Sequence, residues 1–323
     1  MTASRSRRVR YLAAIKLIAG LLIIAFILYR AGDLQEVFAS LAAVKLPELV
    51  LAALCLAIAV GFNALRWRMI LSAMGARISL GVTLVGTFEG MFFNLFLPTG
   101  VGGDAVRGYR AYDSGLGVAE VVQSALIDRA LGLWGLSLFL LVATSFSVFA
   151  DTDLLGTSLI AIALVIAIGG FVAALVGRAL RSRFERNWID RVRRVVVTYG
   201  DVVLSRHFVQ RILPVLIASN IASCASAWYA FRSVGLNVSV VDASAIVELA
   251  SLSALLPISI GGWGLREGVI VFMLEEIGFS SVLATAASAT VSLTVLAVGA
   301  VGLAIWLVYP YRGRNIVQPE LEN

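Results

Sequence analysis

Apolar residues in this chain run in unbroken blocks, without the 3.6-residue alternation of a soluble amphipathic helix. Such blocks fall at residues 11–29, 46–65, 121–149, 154–176, 212–234 and 282–309. Each is long enough to carry a helix across a hydrocarbon core of about 30 Å. Two further apolar stretches, 80–97 and 241–256, behave differently. Each runs into a proline and a group of glycines and then becomes charged. The first reads F-F-N-L-F-L-P-T-G-V-G-G-D-A-V-R-G-Y-R from Phe92, and the second reads L-P-I-S-I-G-G-W-G-L-R-E-G from Leu256. Broken, charged backbone at membrane depth is costly unless it is enclosed by protein or lines a cavity. These two stretches are therefore the first places to look for a site.

The two stretches also resemble each other. Leu97 and Leu256, Pro98 and Pro257, Gly102 and Gly261, Gly103 and Gly262, and Arg107 and Arg266 are all separated by 159 positions (257 − 98 = 159), as are Glu89 and Glu248. With a shift of 160, Gly75 meets Gly235 and Ser79 meets Ser239. The chain is thus expected to be a single integral membrane domain, 1–323, with a first repeat at 46–150 and a second at 212–310. Between them, 178–211 holds nine arginines against Glu185, Asp190 and Asp201. Its apolar Phe184, Trp188, Val192, Val195 and Tyr199 recur at helical spacing, which suits an amphipathic helix on the cytoplasmic leaflet.

Charge placement sets the expected topology. With cationic loops inside, Arg5, Arg7, Arg8 and Arg10 hold the amino terminus in the cytoplasm, and Arg312 and Arg314 hold the tail there. Arg66-Trp67-Arg68 reads as an interface anchor, and residues 33–45 read as a short loop. The expected fold is an all-α polytopic membrane protein of about six full spans plus two re-entrant helical hairpins, which form an inverted internal repeat. The alternative is eight or more full spans, with Pro and Gly at ordinary interhelical turns. The first block is too long for a secretory signal core and no small-residue cleavage site follows, so it is read as an uncleaved span of the cell membrane.

Composition narrows the function classes. The 323 residues are 60% hydrophobic and only 14% charged, with a mean hydropathy of +0.93, far from a soluble domain. The net charge of +6, almost all arginine, flanks apolar blocks. It fits lipid headgroups and does not call for nucleic acid. One histidine, His207, and two cysteines, Cys55 and Cys224, leave no disulfide framework, no metal site and no Ser-His-Asp set. No cofactor and no enzyme activity are expected.

The broken stretches carry the candidate chemistry. Pro98, Gly100, Gly102 and Gly103, with Pro257, Gly261, Gly262 and Gly264, form the candidate gate, because they release backbone from regular helix. A helix restarting near Asp104 turns free N–H groups toward an anion. Arg107 and Arg110, three apart on that helix, would form a phosphate clamp. Arg129 within a span faces the first hairpin, and Asp128 holds another arginine. Asn94, Arg266 and Glu267 complete the candidate substrate-binding set. Glu89 and Glu248 are candidates for coupling, or for counter-charge to Arg107 and Arg266. The plainer readings are that the arginines only pair with nearby acids or headgroups, and that Arg129 snorkels.

Taken together, N-x-L-R-W at Asn63, the F-F-N-x-F-L-P-T-G-x-G-G-D-x-x-R stretch, Asp128-Arg129 and P-x-S-x-G-G-x-G-x-R-E-G resemble the flippase-like family. This family is related to the transmembrane region of lysylphosphatidylglycerol synthases. The resemblance implies movement of an anionic, phosphate-headed lipid between leaflets, such as an aminoacylated phospholipid or a polyprenyl-phosphate sugar carrier. Its motif positions fall on Pro98, Gly102, Gly103, Asp104, Arg107, Asp128-Arg129, Pro257, Gly261, Gly262, Gly264 and Glu267. The synthases continue into a soluble aminoacyl-transfer domain. With the sequence ending at Asn323, no lysyl-lipid synthesis is expected, and a lipid-modifying enzyme would act in trans. The other classes left open are a scaffold or regulator of a lipid-dependent glycosyltransferase or synthase, and an intramembrane lipid-phosphate enzyme.

Overall fold

The computed structural model describes residues 34–97, 102–151, 153–180, 188–256, 262–309 and 311, with isolated positions 22, 25, 28 and 29. The expected first span at 11–29 lies almost wholly outside the described residues. Within them the chain is helical throughout, with no strand. A short helix α1 (Leu34–Ala42) precedes α2 (Leu46–Ala73), then α3 (Leu80–Phe96), α4 (Gly102–Asp113) and α5 (Val118–Ser145). A 3-10 turn at Val148–Asp151 leads to α6 (Asp153–Ala179) and α7 (Trp188–Val203). A π-turn at Phe208–Ile212 enters α8 (Leu213–Ser233), followed by α9 (Val240–Ala254), α10 (Leu265–Glu276) and α11 (Ser281–Val308). Residues 34–42, read from sequence as loop, form a helix because Leu34, Val37, Phe38 and Leu41 recur at helical spacing and Val37 is buried.

Five helices are long and apolar enough to cross a membrane: Leu46–Ala73, Val118–Ser145, Leu155–Ala179, Phe208–Ser233 and Ser281–Val308. They coincide with five of the six apolar blocks. The others are too short. Helices α3, α4, α9 and α10 have 17, 12, 15 and 12 residues, which is about 18–26 Å at 1.5 Å per residue.

One order of elements occurs twice: long, short, short, long. It runs through α2–α5 and again through α8–α11. Helix α2 ends in a turn at Gly75 (φ +86°) and α8 in a turn at Gly235 (φ +85°). Each returns an N–H to the helix behind it, from Ala76 to Leu71 O and from Leu236 to Phe231 O. Ser79 and Ser239 then cap α3 and α9 by accepting from Val82 N and Asp242 N. The register shifts later in the unit. Starts and ends of the last two helices are separated by 163 positions (265 − 102, 281 − 118, 308 − 145), so the second copy is longer by a few residues around its glycine turn.

Packing exchanges elements between the copies. Helices α2 and α8 lie against each other, with α3 on α11 and α9 on α5. The α3–α11 contact is very close: a Cβ on Gly302 would overlap the Phe88 carbonyl, and one on Gly299 would strike Leu95. Ends can be assigned from hydrogen bonds. Lys45 N donates to Ser233 O, placing the start of α2 by the end of α8. Val148 N donates to Asp242 Oδ1, placing the end of α5 by the start of α9. At the other end, Trp67 Nε1 reaches Ser124 Oγ and Arg110 Nη2 reaches Tyr309 O. The α3–α4 pair therefore opens toward one end of the bundle and α9–α10 toward the opposite end. Their inner ends meet where Trp263 Nε1 donates to Leu95 O at 3.1 Å.

Helix α7 does not stand apart from the bundle. Gly177 and Gly200 let α6 and α7 touch backbone to backbone. Gln123 of α5 donates to Thr198 Oγ1 and Arg194 O. Its buried face is Val197, Tyr199, Val202 and Val203, while Val192 is exposed. Of the apolar positions read from sequence, Tyr199 packs into the bundle and Val192 faces outward. Phe184 lies outside the described residues.

Candidate functional site

Beside the meeting point of the two hairpins is a cavity of about 620 Å³. Its polar lining comes from five helices: Asn63 and Arg66 on α2, Thr87 and Asn94 on α3, Asp104 and Arg107 on α4, Asp128 and Arg129 on α5, and Arg266 on α10. Leu95, Leu133, Leu136, Leu255 and Val295 supply much of the apolar wall.

Five of these side chains form one alternating chain of charge. Arg66 Nε donates to Asp128 Oδ1 at 2.8 Å, and Arg107 Nη1 donates to Asp128 Oδ2 at 2.8 Å. Arg107 Nε lies 2.8 Å from Asp104 Oδ1, an ion contact without the alignment of a hydrogen bond. Asp104 in turn takes Arg129 Nε. Trp67, wholly buried, stacks on the Arg107 guanidinium with 4.8 Å to its ring centroid. Three arginines against two aspartates leave one net positive charge. Arg66, Arg107 and Asp128 are almost sealed from solvent, whereas the Arg129 side chain is 39% exposed. Across the cavity Arg266 is held by Glu267 Oε1 at 2.6 Å and by Ser292 Oγ at 3.1 Å.

The local backbone explains this convergence. Helix α4 can begin beside α3 because Gly90 and Gly103 have no side chain; a Cβ on Gly103 would overlap the Gly90 carbonyl and the Asn94 amide. Asn94 Oδ1 accepts from Gly103 N at 2.8 Å, so it caps one of the free N–H groups at the helix start. Glu267 does the equivalent work on α10, accepting from Gly264 N at 2.7 Å. Gly262 and Gly264, at φ +79° and +86°, supply the left-handed backbone before that helix.

Several residues fall elsewhere than the sequence suggests. Arg107 and Arg110 do not form a joint clamp. Arg110 leaves the cavity and binds Glu89 through Nε and Nη2, and it also lies 4.2 Å from the Tyr311 ring centroid. Glu89 is therefore the counter-charge of Arg110 and not of Arg107. Glu248 does not neutralise Arg266; it accepts the Cys224 thiol at 3.3 Å. Arg66-Trp67 is buried machinery, not an interface anchor, and only Arg68 points outward, to Ile78 O. The spacing Asn63, Arg66, Trp67 on one helix face was the available signal. Trp263 as a bridge had none, since an indole after two glycines reads as an insertion. Pro98, Gly100, Pro257 and Gly261 lie outside the described residues.

Two apolar cavities adjoin the polar one. About 610 Å³ lies between α4 and α5, walled by Tyr109, Tyr112, Val118, Val122 and Ala125 and ending at the same Asp104 and Arg129. About 400 Å³ lies among α5, α6 and α7, on the far side of Ala130 and Leu133. Exposed Tyr109, Val118, Val122 and Leu126 open the first of these to the outside of the bundle.

Among the described residues, an all-helical bundle with spans of this length defines a multi-pass membrane protein. Residues 14–308, nearly the whole sequence, match the lysylphosphatidylglycerol synthase TM region, and the chain belongs to that family. A comparison with curated proteins finds no match.

Proposed function

We propose that the protein moves an anionic, phosphate-headed lipid between the leaflets of the cell membrane. The observation that carries this reading is the shared boundary at Asp104 and Arg129. On one side is a polar cavity with an excess of guanidinium. On the other is an apolar crevice open to the bundle surface. A phosphate head seated at Arg129, Arg107 and Arg66 would leave its acyl chains in the crevice and outside it. Arginine suits the head because its planar fork matches phosphate oxygens. The loosely aligned Arg107–Asp104 contact is the link such an anion would replace.

In this reading the four short helices are two re-entrant hairpins, and the units 46–150 and 212–310 are inverted copies. Support comes from their length, from their opening toward opposite ends, and from the Trp263–Leu95 contact between their tips. Hairpins of opposite sense meeting at mid-depth are how many alternating-access carriers build a site. The basic end with α7 then faces the cytoplasm, as do both termini, and a lipid-modifying enzyme acting in trans would meet the carrier there.

The test is reconstitution into phosphatidylcholine vesicles holding a trace of fluorescent phosphatidylglycerol, with the outer leaflet quenched by a membrane-impermeant reductant. Protein-containing vesicles should lose more than the half of the signal that empty vesicles lose. Arg107→Ala and Arg129→Ala should abolish the gain. Unchanged movement in both variants would remove the cavity from the mechanism.

A further inference from the structure

Glu248 stands out among the buried charges because no cation among the described residues neutralises it. It is 1% exposed in the middle of α9. One carboxyl oxygen accepts the Cys224 thiol, and the other, Oε2, has no partner among the described residues. Its counterpart Glu89, 159 positions earlier, is equally buried but is held by Arg110. The second copy has no cation there: the position equivalent to Arg110 is Val269 at a shift of 159 or Met273 at 163 (110 + 159 = 269; 110 + 163 = 273). The acid is present in both copies, and the arginine position is apolar in the second.

The surroundings offer no substitute. Helix α8 presents Cys224 and Ala227, and α5 presents Phe139. Other titratable groups on the packed elements are engaged elsewhere. On α5, Asp128 and Arg129 belong to the arginine-aspartate chain, and Glu120 accepts from Gly117 N. On α8, Arg232 stacks on Trp228. On α9, Asp242 accepts from Ser239 Oγ and Val148 N. On α10, Arg266 and Glu267 hold each other, Glu275 takes Ser281 Oγ, and Glu276 is exposed at the bundle end. A bare carboxylate in such a place is costly, and taking up a proton removes most of the cost.

Position links this acid to the cavity. Leu255, the residue that caps the end of α9 with helical backbone, follows Glu248 by seven positions, which puts the two on one helix face about 10 Å apart along the axis. Leu255 lines the polar cavity beside Arg266. A shift of the second hairpin that opens or closes the cavity therefore also changes what Glu248 faces.

We propose that Glu248 is a proton-binding site that couples proton movement to the lipid transport proposed above, on which this inference rests. The carboxylate takes a proton from water reaching it from one side of the membrane, forming the neutral acid. It returns that proton to water on the other side once the hairpin has changed its exposure. Nothing is oxidised or reduced and no other reactant is needed. Glu89, locked by Arg110, serves as the fixed counterpart.

Two readouts separate the proton site from the transport reading. The first is fluorescent phosphatidylglycerol distribution in proteoliposomes bearing an imposed pH gradient. Wild type should shift the steady-state distribution with the gradient and invert the shift when the gradient is reversed. Glu248→Gln, a mimic of the protonated acid, should equilibrate the lipid without responding. Glu248→Asp should restore the response. An equal response in Glu248→Gln overturns the proposal. The second readout needs no transport: infrared titration of the purified full-length chain across a range of about pH 5 to pH 9. A protonated-carboxyl band that responds to pH in wild type and is missing in Glu248→Gln supports the site, even if no variant moves lipid and the transport reading fails. Absence of any such band overturns it.

Discussion

At the scale of single residues, the site is governed by how charges are shared. Asp128 is the hub, since it alone neutralises both Arg66 and Arg107, and its side chain is 5% exposed. Removing one member of a buried ion network leaves the others uncompensated, at a cost of about 3–5 kcal/mol. Arg129 is different: with its side chain 39% exposed, water can replace much of what its partner supplies, and the cost falls toward the range of surface pairs, under about 1 kcal/mol. Asp128→Ala should therefore sharply lower the temperature at which the detergent-solubilised protein leaves its monodisperse peak, and Arg129→Ala should barely move it. Both should impair lipid movement. Equal thermal shifts would mean that the two ends of the charge chain are not distinct. The identities of Arg107, Asp104, Asp128 and Arg129 were legible in the sequence because charge inside an apolar block is costly and so stands out. Their pairing was not. Arg110, three residues from Arg107, looks equivalent by helical spacing, yet it binds Glu89 because α4 lies in a notch between α3 and the end of α11. Only the packing of distant helices decides that.

At the scale of elements, glycine sets how closely helices approach, and that closeness positions the charges. Gly103 allows α4 to start against the Gly90 backbone, and Gly302 allows α11 to touch Phe88 on α3. Neither requires an unusual φ; each requires the absence of a Cβ. Gly302→Val should drive α11 away from α3 and weaken the first hairpin without touching any charged residue. The expected result is loss of lipid movement with Arg107 and Asp128 intact, accompanied by faster proteolysis at the hairpin. Gly169→Ala is the matched control, because a Cβ at Gly169 meets nothing within 4 Å. It should leave stability and lipid movement close to wild type. Helix positions were legible from most apolar blocks to within a few residues, since a bilayer-length apolar run has few alternatives, but α2 runs past its block to Ala73. The glycine contacts were not, because Gly90, Gly299 and Gly302 sit in apolar helix where sequence gives no reason to single them out. Helix α1 escaped for a related reason: nine residues with one charge look like a loop until Val37 is seen to be buried.

At the scale of the whole molecule, the two-copy order explains why the halves differ in chemistry while sharing a frame. Both copies keep the glycine turns, the serine caps and the broken short helices. The first keeps its arginines on the cavity and pairs its buried glutamate. The second spends its acid at the helix start as Glu267, puts Trp263 across to Leu95, and leaves Glu248 without a cation. The offset of 159 was readable from proline and paired glycines, and the recurring order of long and short helices is compatible with it. The shift from 159 to 163 was not readable, because the four additional positions lie around a turn that carries no marker of its own. The opposed sense proposed for the copies makes a prediction at this scale. In a background lacking Cys55 and Cys224, single cysteines at Ser114 and Glu276 report the open ends of the two hairpins. Both positions are exposed, and each lies at the outer end of its short return helix. In right-side-out membranes a membrane-impermeant maleimide should label Glu276→Cys from outside, and should reach Ser114→Cys only after the membrane is opened. Adding Arg107→Ala should not alter this pattern, since topology follows the spans and the cationic ends, not the cavity. If both cysteines react from the same side, the short helices do not form two opposed hairpins. The transport mechanism would then lose its frame even if the arginine cavity still bound phosphate.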